Sequence, residues 1–146
     1  MDRLLKSITV FAGLDDKARA LFLDHAKKLA VPAEAVIARE GETNHCMFLI
    51  GSGSVRIVKN FRGSDETILT VLRAGDFFGE MCVLEPMPRA ATAQACEPSI
   101  VFQVPSSAFH QLYDEMPAQF GLLMLNIARD LSRRLRRLDE IFAARH

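Results

Sequence analysis

The stretch that decides the reading is Gly75-Asp76-Phe77-Phe78-Gly79-Glu80-Met81-Cys82-Val83-Leu84-Glu85-Pro86-Met87-Pro88-Arg89-Ala90-Ala91-Thr92-Ala93. It interrupts a region of short β-like segments. Gly79 permits a tight turn or the close approach of a ligand. The apolar run after it is long enough for one or two helical turns, and Pro86 and Pro88 end it. A short helix start presents unpaired backbone N–H groups, which suit a phosphate. Arg89 adds a fixed charge and a planar fork for phosphate oxygens. Glu80 beside a phosphate would repel it, so it fits only where it faces hydroxyls, such as those of a ribose. The small side chains of Ala90 and Ala91 let backbone come close to a ligand. Together these residues describe a holder for a small anionic sugar phosphate. Each alone says little: a Gly-Glu pair is usually a turn, and a single Arg is usually at the surface.

Working outward, residues 36–39, 47–50, 54–59, 67–72, 91–95 and 99–104 are short β-branched runs. Gly41-Glu42, Gly51-Ser52-Gly53, residues 60–65 and Ala74-Gly75-Asp76 break them. Strands this short at this spacing predict an all-β sandwich or roll. Upstream, Ala18, Leu21, Phe22, Ala26 and Leu29 recur at helical spacing. They predict a helix over 15–29, with Asp15 or Asp16 as N-cap and Pro32 as the stop. Ile8, Phe11 and Leu14 stand three apart, as in a short helical or turn segment packed on the rest.

Downstream, Ser106 or Ser107 can cap a short helix through Tyr113, and Pro117 stands where a helix favours its first-turn proline. A long amphipathic helix is predicted over 120–142. Met124, Leu131 and Leu138 are seven apart, with Ile127, Ala128, Leu135, Ile141 and Phe142 in neighbouring rows, a heptad-like seam. The seam serves either the chain's own β-body or a partner helix. It stays apolar nearly to residue 146, beyond what one small roll covers, so a homodimer through this helix is the expectation. Residues 117–146 hold six Arg and three acids, net +3, and the remainder is net −3. The Arg-rich face reads as solvated rather than as a nucleic-acid grip.

The chain has 146 residues, 49% hydrophobic and 25% charged, with 18 Lys plus Arg against 18 Asp plus Glu. That is one domain's worth, able to bury a core without disulfides or metals. Zero net charge argues against broad nucleic-acid binding, which draws on a basic surplus. No apolar stretch is long enough to span a bilayer, and the N-terminus lacks a continuous apolar signal core, so the expected location is cytoplasmic. Cys46, Cys82 and Cys96 match no zinc template and read as isolated reduced thiols. His25, His45, His110 and His146 fall in different segments, and no Ser-His-Asp or Cys-His spacing points to a nucleophile. The expectation is a protein that is not an enzyme and needs no metal or cofactor.

Gly79-Glu80-Met81-Cys82 followed by Pro88-Arg89-Ala90-Ala91-Thr92 resembles the phosphate-binding cassette of the cyclic-nucleotide-binding domain family. That family includes the bacterial catabolite activator protein, the regulatory subunits of cAMP-dependent protein kinase and cyclic-nucleotide-gated channels. The spacing of nine from Glu80 to Arg89 matches the kinase and channel versions. The likeness spans nearly the whole chain. Ile8-x-x-Phe11-x-x-Leu14 resembles the N-terminal helical segment, Arg39-Glu40-Gly41-Glu42 and residues 46–55 the early β-roll, and residues 120–138 the long C-helix.

The resemblance implies a mainly β fold with flanking helices: a double-stranded, jelly-roll-like β-roll with N-terminal helices, a short cassette helix and a long C-terminal helix. It implies one domain over 1–146, with a helical segment at 1–32, the roll at 33–105 carrying the cassette at 79–92, and C-terminal helices at 106–146. It also implies roles. Arg89 pairs with the cyclic phosphate, reached as well by the backbone amides of Cys82, Ala90 and Ala91. Glu80 accepts from the ribose 2′-hydroxyl, with Gly79 giving clearance and Met81 next in the cassette. Thr70, Leu72 and Phe78 line the base and sugar side, although alternating core positions would look the same.

The chain departs from its relatives in places. Those selective for cGMP tend to carry Thr where Ala90 stands, so the implied ligand is cAMP, with cGMP the second candidate. In the catabolite activator group, small hydroxylated C-helix residues meet the adenine across the dimer. An ungapped match from Pro117 puts Arg134 and Leu135 there. Leu135 could then cap the base and Arg134 stack on it, or Arg134 could be a solvated or interhelical charge. No helix-turn-helix, tandem domain or membrane pore is expected within 1–146. The reading is a non-enzymatic sensor that moves its C-helix on binding cyclic nucleotide and signals in trans to a protein effector, with no DNA-binding domain of its own. The alternative is a dimeric β-roll interaction module whose pocket is degenerate and binds no nucleotide.

Overall fold

Successive side chains of strand β3 (Cys46–Ser52) point into two different cores. Met47 and Leu49 join Phe11, Phe22, Phe109 and Leu123 beneath the helices. Phe48 and Ile50 join Val55, Leu72, Phe78 and Val101 inside the roll. This alternation explains why residues 46–50 read as an unbroken apolar run: the sheet that holds them is covered on both faces. The computed structural model describes residues 8–80, 85 and 87–144. Among them, that sheet runs in the order β1 (Lys27–Val31), β8 (Ser99–Pro105), β3 and β6 (Phe77–Phe78). The facing sheet runs β2 (Val36–Ala38), β7 (Thr92–Ala95), β4 (Ser54–Lys59) and β5 (Thr67–Arg73). All described pairings are antiparallel, as a roll requires.

The predicted strands are present, within a residue or two at their ends. Two elements depart from expectation. The helix predicted over 15–29 is α1 (Asp16–His25), and β1 begins at Lys27. Leu29 fits both a 3.6-residue and a two-residue period. Pairing of all five β1 residues with β8 decides for the strand, which lays Leu29 and Val31 against the roll core. β6 was hidden inside the stretch read as turn and cassette lead-in. Its two phenylalanines face opposite ways, Phe77 toward the helices and Phe78 into the roll.

Asp15 caps α1, its carboxylate accepting from the Ala18 N–H at 2.9 Å. Neither Ser106 nor Ser107 caps α2 (Ser106–Glu115). Pro105 stands at the cap position, and the Ser106 N–H donates to the His45 carbonyl at 2.7 Å. Ile8, Phe11 and Leu14 are buried around a short 3-10 turn, Thr9–Phe11. Asn126 ties that turn to the long helix α3 (Pro117–Ala144), its side-chain amide donating to the Val10 and Ala12 carbonyls, each at 2.9 Å. Leu123 and Ile127 of α3 are buried; Leu135 and Leu138 are each 60% exposed. The helix therefore starts as part of the core and runs out across the face of the roll. The cassette helix expected after Gly79 lies outside the described residues.

Candidate functional site

Where α3 passes over the roll it covers a cavity of about 520 Å³. The volume is in the range that holds a small ligand. Ile57, Thr70, Leu72, Phe78 and Ala93 form its apolar wall, Gly79, Glu80, Arg89, Ala90 and Ala91 its polar end, and Asp130, Arg134, Arg137, Leu138 and Ile141 of α3 its lid side.

The polar end is built around Arg89, which is 5% exposed. Its backbone is pinned between two loop bonds: Gly41 N–H to Arg89 O at 2.8 Å and Arg89 N–H to Glu42 O at 2.9 Å. The Glu40 N–H donates to Thr92 Oγ1 at 3.0 Å, fixing the next turn of chain. Thus the Arg39-Glu40-Gly41-Glu42 loop carries the arginine. Nη2 donates to Asn44 Oδ1 and to the Cys46 carbonyl, the latter at 2.7 Å. Nε and Nη1 are buried with no hydrogen-bond partner among the described residues. Gly79 lies directly beneath. A Cβ there would meet Nη1 at 2.2 Å and the Cys46 carbonyl at 3.1 Å, and its φ of +84° already favours glycine. The Arg89 guanidinium also stands 5.4 Å from the Phe48 ring centroid, and Phe48 stacks on Phe78 at 5.0 Å. A charge-bearing group this buried, with donors unmet, is costly unless an anion completes it.

Glu80 is 6% exposed. Burial raises its pKa above the ordinary 4.5, and Arg134 and Arg89 partly oppose the rise. Arg134 reaches it from α3, with Nη1 3.6 Å from Glu80 Oε1. The same side chain donates from Nη2 to the Phe77 carbonyl at 2.9 Å and lies 4.7 Å above the Phe77 ring. Its Nε stands 2.7 Å from Asp130 Oδ2, an ion pair by distance whose angle does not make a hydrogen bond.

Gly79, Glu80, Arg89, Ala90, Ala91, Thr70, Leu72, Phe78 and Arg134 thus converge on one cavity. Phe78 is both wall and core. Met81 and Cys82 lie outside the described residues. Leu135 is not in the lining; it stands on the exposed row of α3, and Leu138 and Ile141 of the same helix line the cavity. Arg134 packs on Phe77 and Glu80 rather than standing free over the base region. Sequence reading missed Asn44, Asp130, Arg137 and Ile141. The last two share a visible i, i+4, i+7, i+11 row with Asp130 and Arg134. Nothing local marks Asn44.

Residues 28–116 match the model of the family described as "Cyclic nucleotide-binding domain". The chain belongs to this family. It is 30% identical over 135 residues to the cyclic AMP receptor protein of Thermus thermophilus, a match that covers 92% of this chain and 61% of that protein. The chain therefore spans about three fifths of that relative's length. A cyclic nucleotide-binding domain from Methylobacillus flagellatus superposes with a TM-score of 0.84 at 23% identity, over 97% of this chain and 84% of that one. This likeness establishes the β-roll with flanking helices. The regulatory domain of Toxoplasma gondii PKA, crystallised with cAMP, superposes at a TM-score of 0.73 and 26% identity, over 88% of this chain and 48% of that one. These relatives are a receptor and a regulatory domain by name. No helix among the described residues is long and apolar enough to cross a membrane. No group of three or more His, Cys, Asp or Glu among them is placed to hold a metal ion.

Proposed function

We propose that residues 1–146 act as one cyclic-nucleotide-sensing unit that takes cAMP, in preference to cGMP, in the cavity under α3. One observation carries the reading: the guanidinium of Arg89 is buried at the cavity's polar end, and Nε and Nη1 have no hydrogen-bond partner among the described residues. A cyclic phosphate supplies one negative charge and two free oxygens for those donors. The backbone at Ala90 and Ala91 approaches the same anion. Glu80 accepts from the ribose 2′-hydroxyl, and Leu72, Thr70 and Phe78 face the sugar and base. Ala90 offers no hydroxyl to a guanine.

Signalling follows from a change of partner. Glu80 can serve Arg134 or a ribose. When ribose takes it, Arg134 loses one of the contacts that hold α3 against β6, and the helix is free to settle on the base through Leu138 and Ile141. The moved helix reports to a protein effector in trans. A second copy covers the exposed Leu135, Leu138 and Phe142, spaced i, i+3, i+7. This row lies one residue, about 100°, round the helix from the cavity-facing Asp130, Arg134, Arg137 and Ile141. Leu138 stands at the border of the two rows and also lines the cavity, so the ligand face and the dimer face of the helix adjoin there.

Calorimetric titration with cAMP and cGMP, with Arg89→Ala as control, tests the reading. We expect saturable cAMP binding, weaker cGMP binding, and a loss of affinity of at least a hundredfold in the variant. Equal affinity in the variant, or no binding by the native chain, overturns it. Light scattering tests the dimer: Leu135→Asp with Phe142→Asp should give monomers, and persistent dimers refute the seam.

A further inference from the structure

No carboxylate stands within ion-pair distance of Arg89 among the described residues; Glu80 acts on it only at longer range. A neutral side chain holds it instead. Asn44 Oδ1 and the Cys46 carbonyl take the two N–H groups of Nη2, which leaves the Nε–H and both Nη1–H groups unmet. The Asn44 amide cannot turn over without loss, because its Nδ2 donates to Glu42 Oε1 at 2.9 Å. Turned over, it would set N–H against N–H at the guanidinium. Glu42 in turn accepts the Arg89 backbone N–H through its carbonyl at 2.9 Å. One short loop therefore holds both the backbone and the side chain of the arginine, without cancelling its charge.

We propose that Asn44 is the positioning residue of the anion site, an uncharged anchor that aims Arg89 into the cavity and leaves its full charge for the phosphate. This rests on the reading of the cavity as a cyclic-nucleotide site. A carboxylate has the same shape and accepts the same N–H group. It would also bind the guanidinium more tightly, and so the amide is not interchangeable with it. An Asp at this position would neutralise Arg89 and repel the incoming phosphate. A methyl group would only free one end of Arg89, with Cys46 and the pinned backbone still in place.

The two roles predict opposite orders of damage. If Asn44 were merely structural, Asn44→Ala would hurt more than the isosteric Asn44→Asp. If it keeps the charge available, Asn44→Asp hurts more. We expect cAMP affinity to fall roughly a hundredfold in Asn44→Asp and about threefold to tenfold in Asn44→Ala, by calorimetry. The Tm of Asn44→Asp should stay close to that of the native chain, because the new ion pair with Arg89 offsets the lost hydrogen bond to Glu42 and the repulsion between the two carboxylates. Unchanged affinity in Asn44→Asp, or a larger loss in Asn44→Ala, overturns the proposal. A second readout needs no nucleotide: the NMR signal of the Arg89 Nε–H should be sharp in the native chain and exchange faster with water in Asn44→Ala. If the native chain binds neither nucleotide, the cavity reading falls. The anchoring of Arg89 then stands or falls on that Nε–H signal alone, and equal exchange in both proteins overturns it.

Discussion

Arg89 and Arg134 face the same cavity from opposite walls and are held in opposite ways. Arg89 rises from the roll, is 5% exposed, and is fixed by a loop bonded to its own backbone, with a neutral amide as side-chain partner. Arg134 comes from α3, its side chain 29% exposed, and meets two carboxylates, a carbonyl and a ring. The first is pinned, and no carboxylate among the described residues pairs with it. The second is satisfied, by groups a ligand can claim. In the proposed sensor the two walls divide the work, one preorganised to bind and one whose contacts change on binding.

The rigid wall can be broken at Gly79. Gly79→Ala forces a side chain into the left-handed region and onto Nη1 of Arg89, 2.2 Å away. Strain alone costs about 1–3 kcal/mol. We expect a Tm lower by about 3–9 °C in thermal melts and nucleotide binding lost at any practical concentration. Retained binding would show that Arg89 can be re-aimed, and the contrast with Arg134 would lapse.

The adjustable wall is tested at Arg134. Arg134→Ala should tighten cAMP binding by about threefold to tenfold, because the ribose no longer competes for Glu80. It should also speed amide exchange along the second half of α3. Weaker binding would instead make Arg134 a direct ligand contact and erase the exchange of partners.

The smallest effect is expected from Glu80→Gln in the unliganded protein. Burial raises the pKa of Glu80 above 4.5. Between its unfolded and folded pKa values the folded chain keeps a proton that the unfolded chain has released. Stability therefore falls as pH rises through that window and stays lower above it. Glu80→Gln removes this titration, so its Tm should exceed the native value slightly at pH 7. The gap should close as pH falls below 4.5. A gap that widens on acidification would show that the Arg134 pair outweighs burial.

Much of this architecture could be read from the chain. The runs at 36–39, 47–50, 54–59, 67–72, 91–95 and 99–104 declare strands because β-branched residues and turn residues alternate at short range. Gly79, Glu80 and Arg89 stand out in the chain as a turn glycine, a carboxylate and an arginine in one short segment, and all three line the cavity. The row of Leu135, Leu138 and Phe142 is plain from spacing.

What stayed illegible depends on residues far apart in the chain. Lys27–Val31 becomes a strand only because β8, some seventy residues on, offers it an edge. Phe77 and Phe78 become one because β3 pairs with them. Asn44 is 45 residues from the arginine it holds, and Arg134 is 54 from the carboxylate it meets. Periodicity and local motif chemistry are properties of neighbouring residues, so the sequence by itself determined the roll and the long helix and set Gly79, Glu80 and Arg89 in one short segment. Which groups neutralise or orient one another across the cavity is set by packing, and only the tertiary structure decided that Arg89 Nε and Nη1 find no hydrogen-bond partner among the described residues while Arg134 is engaged.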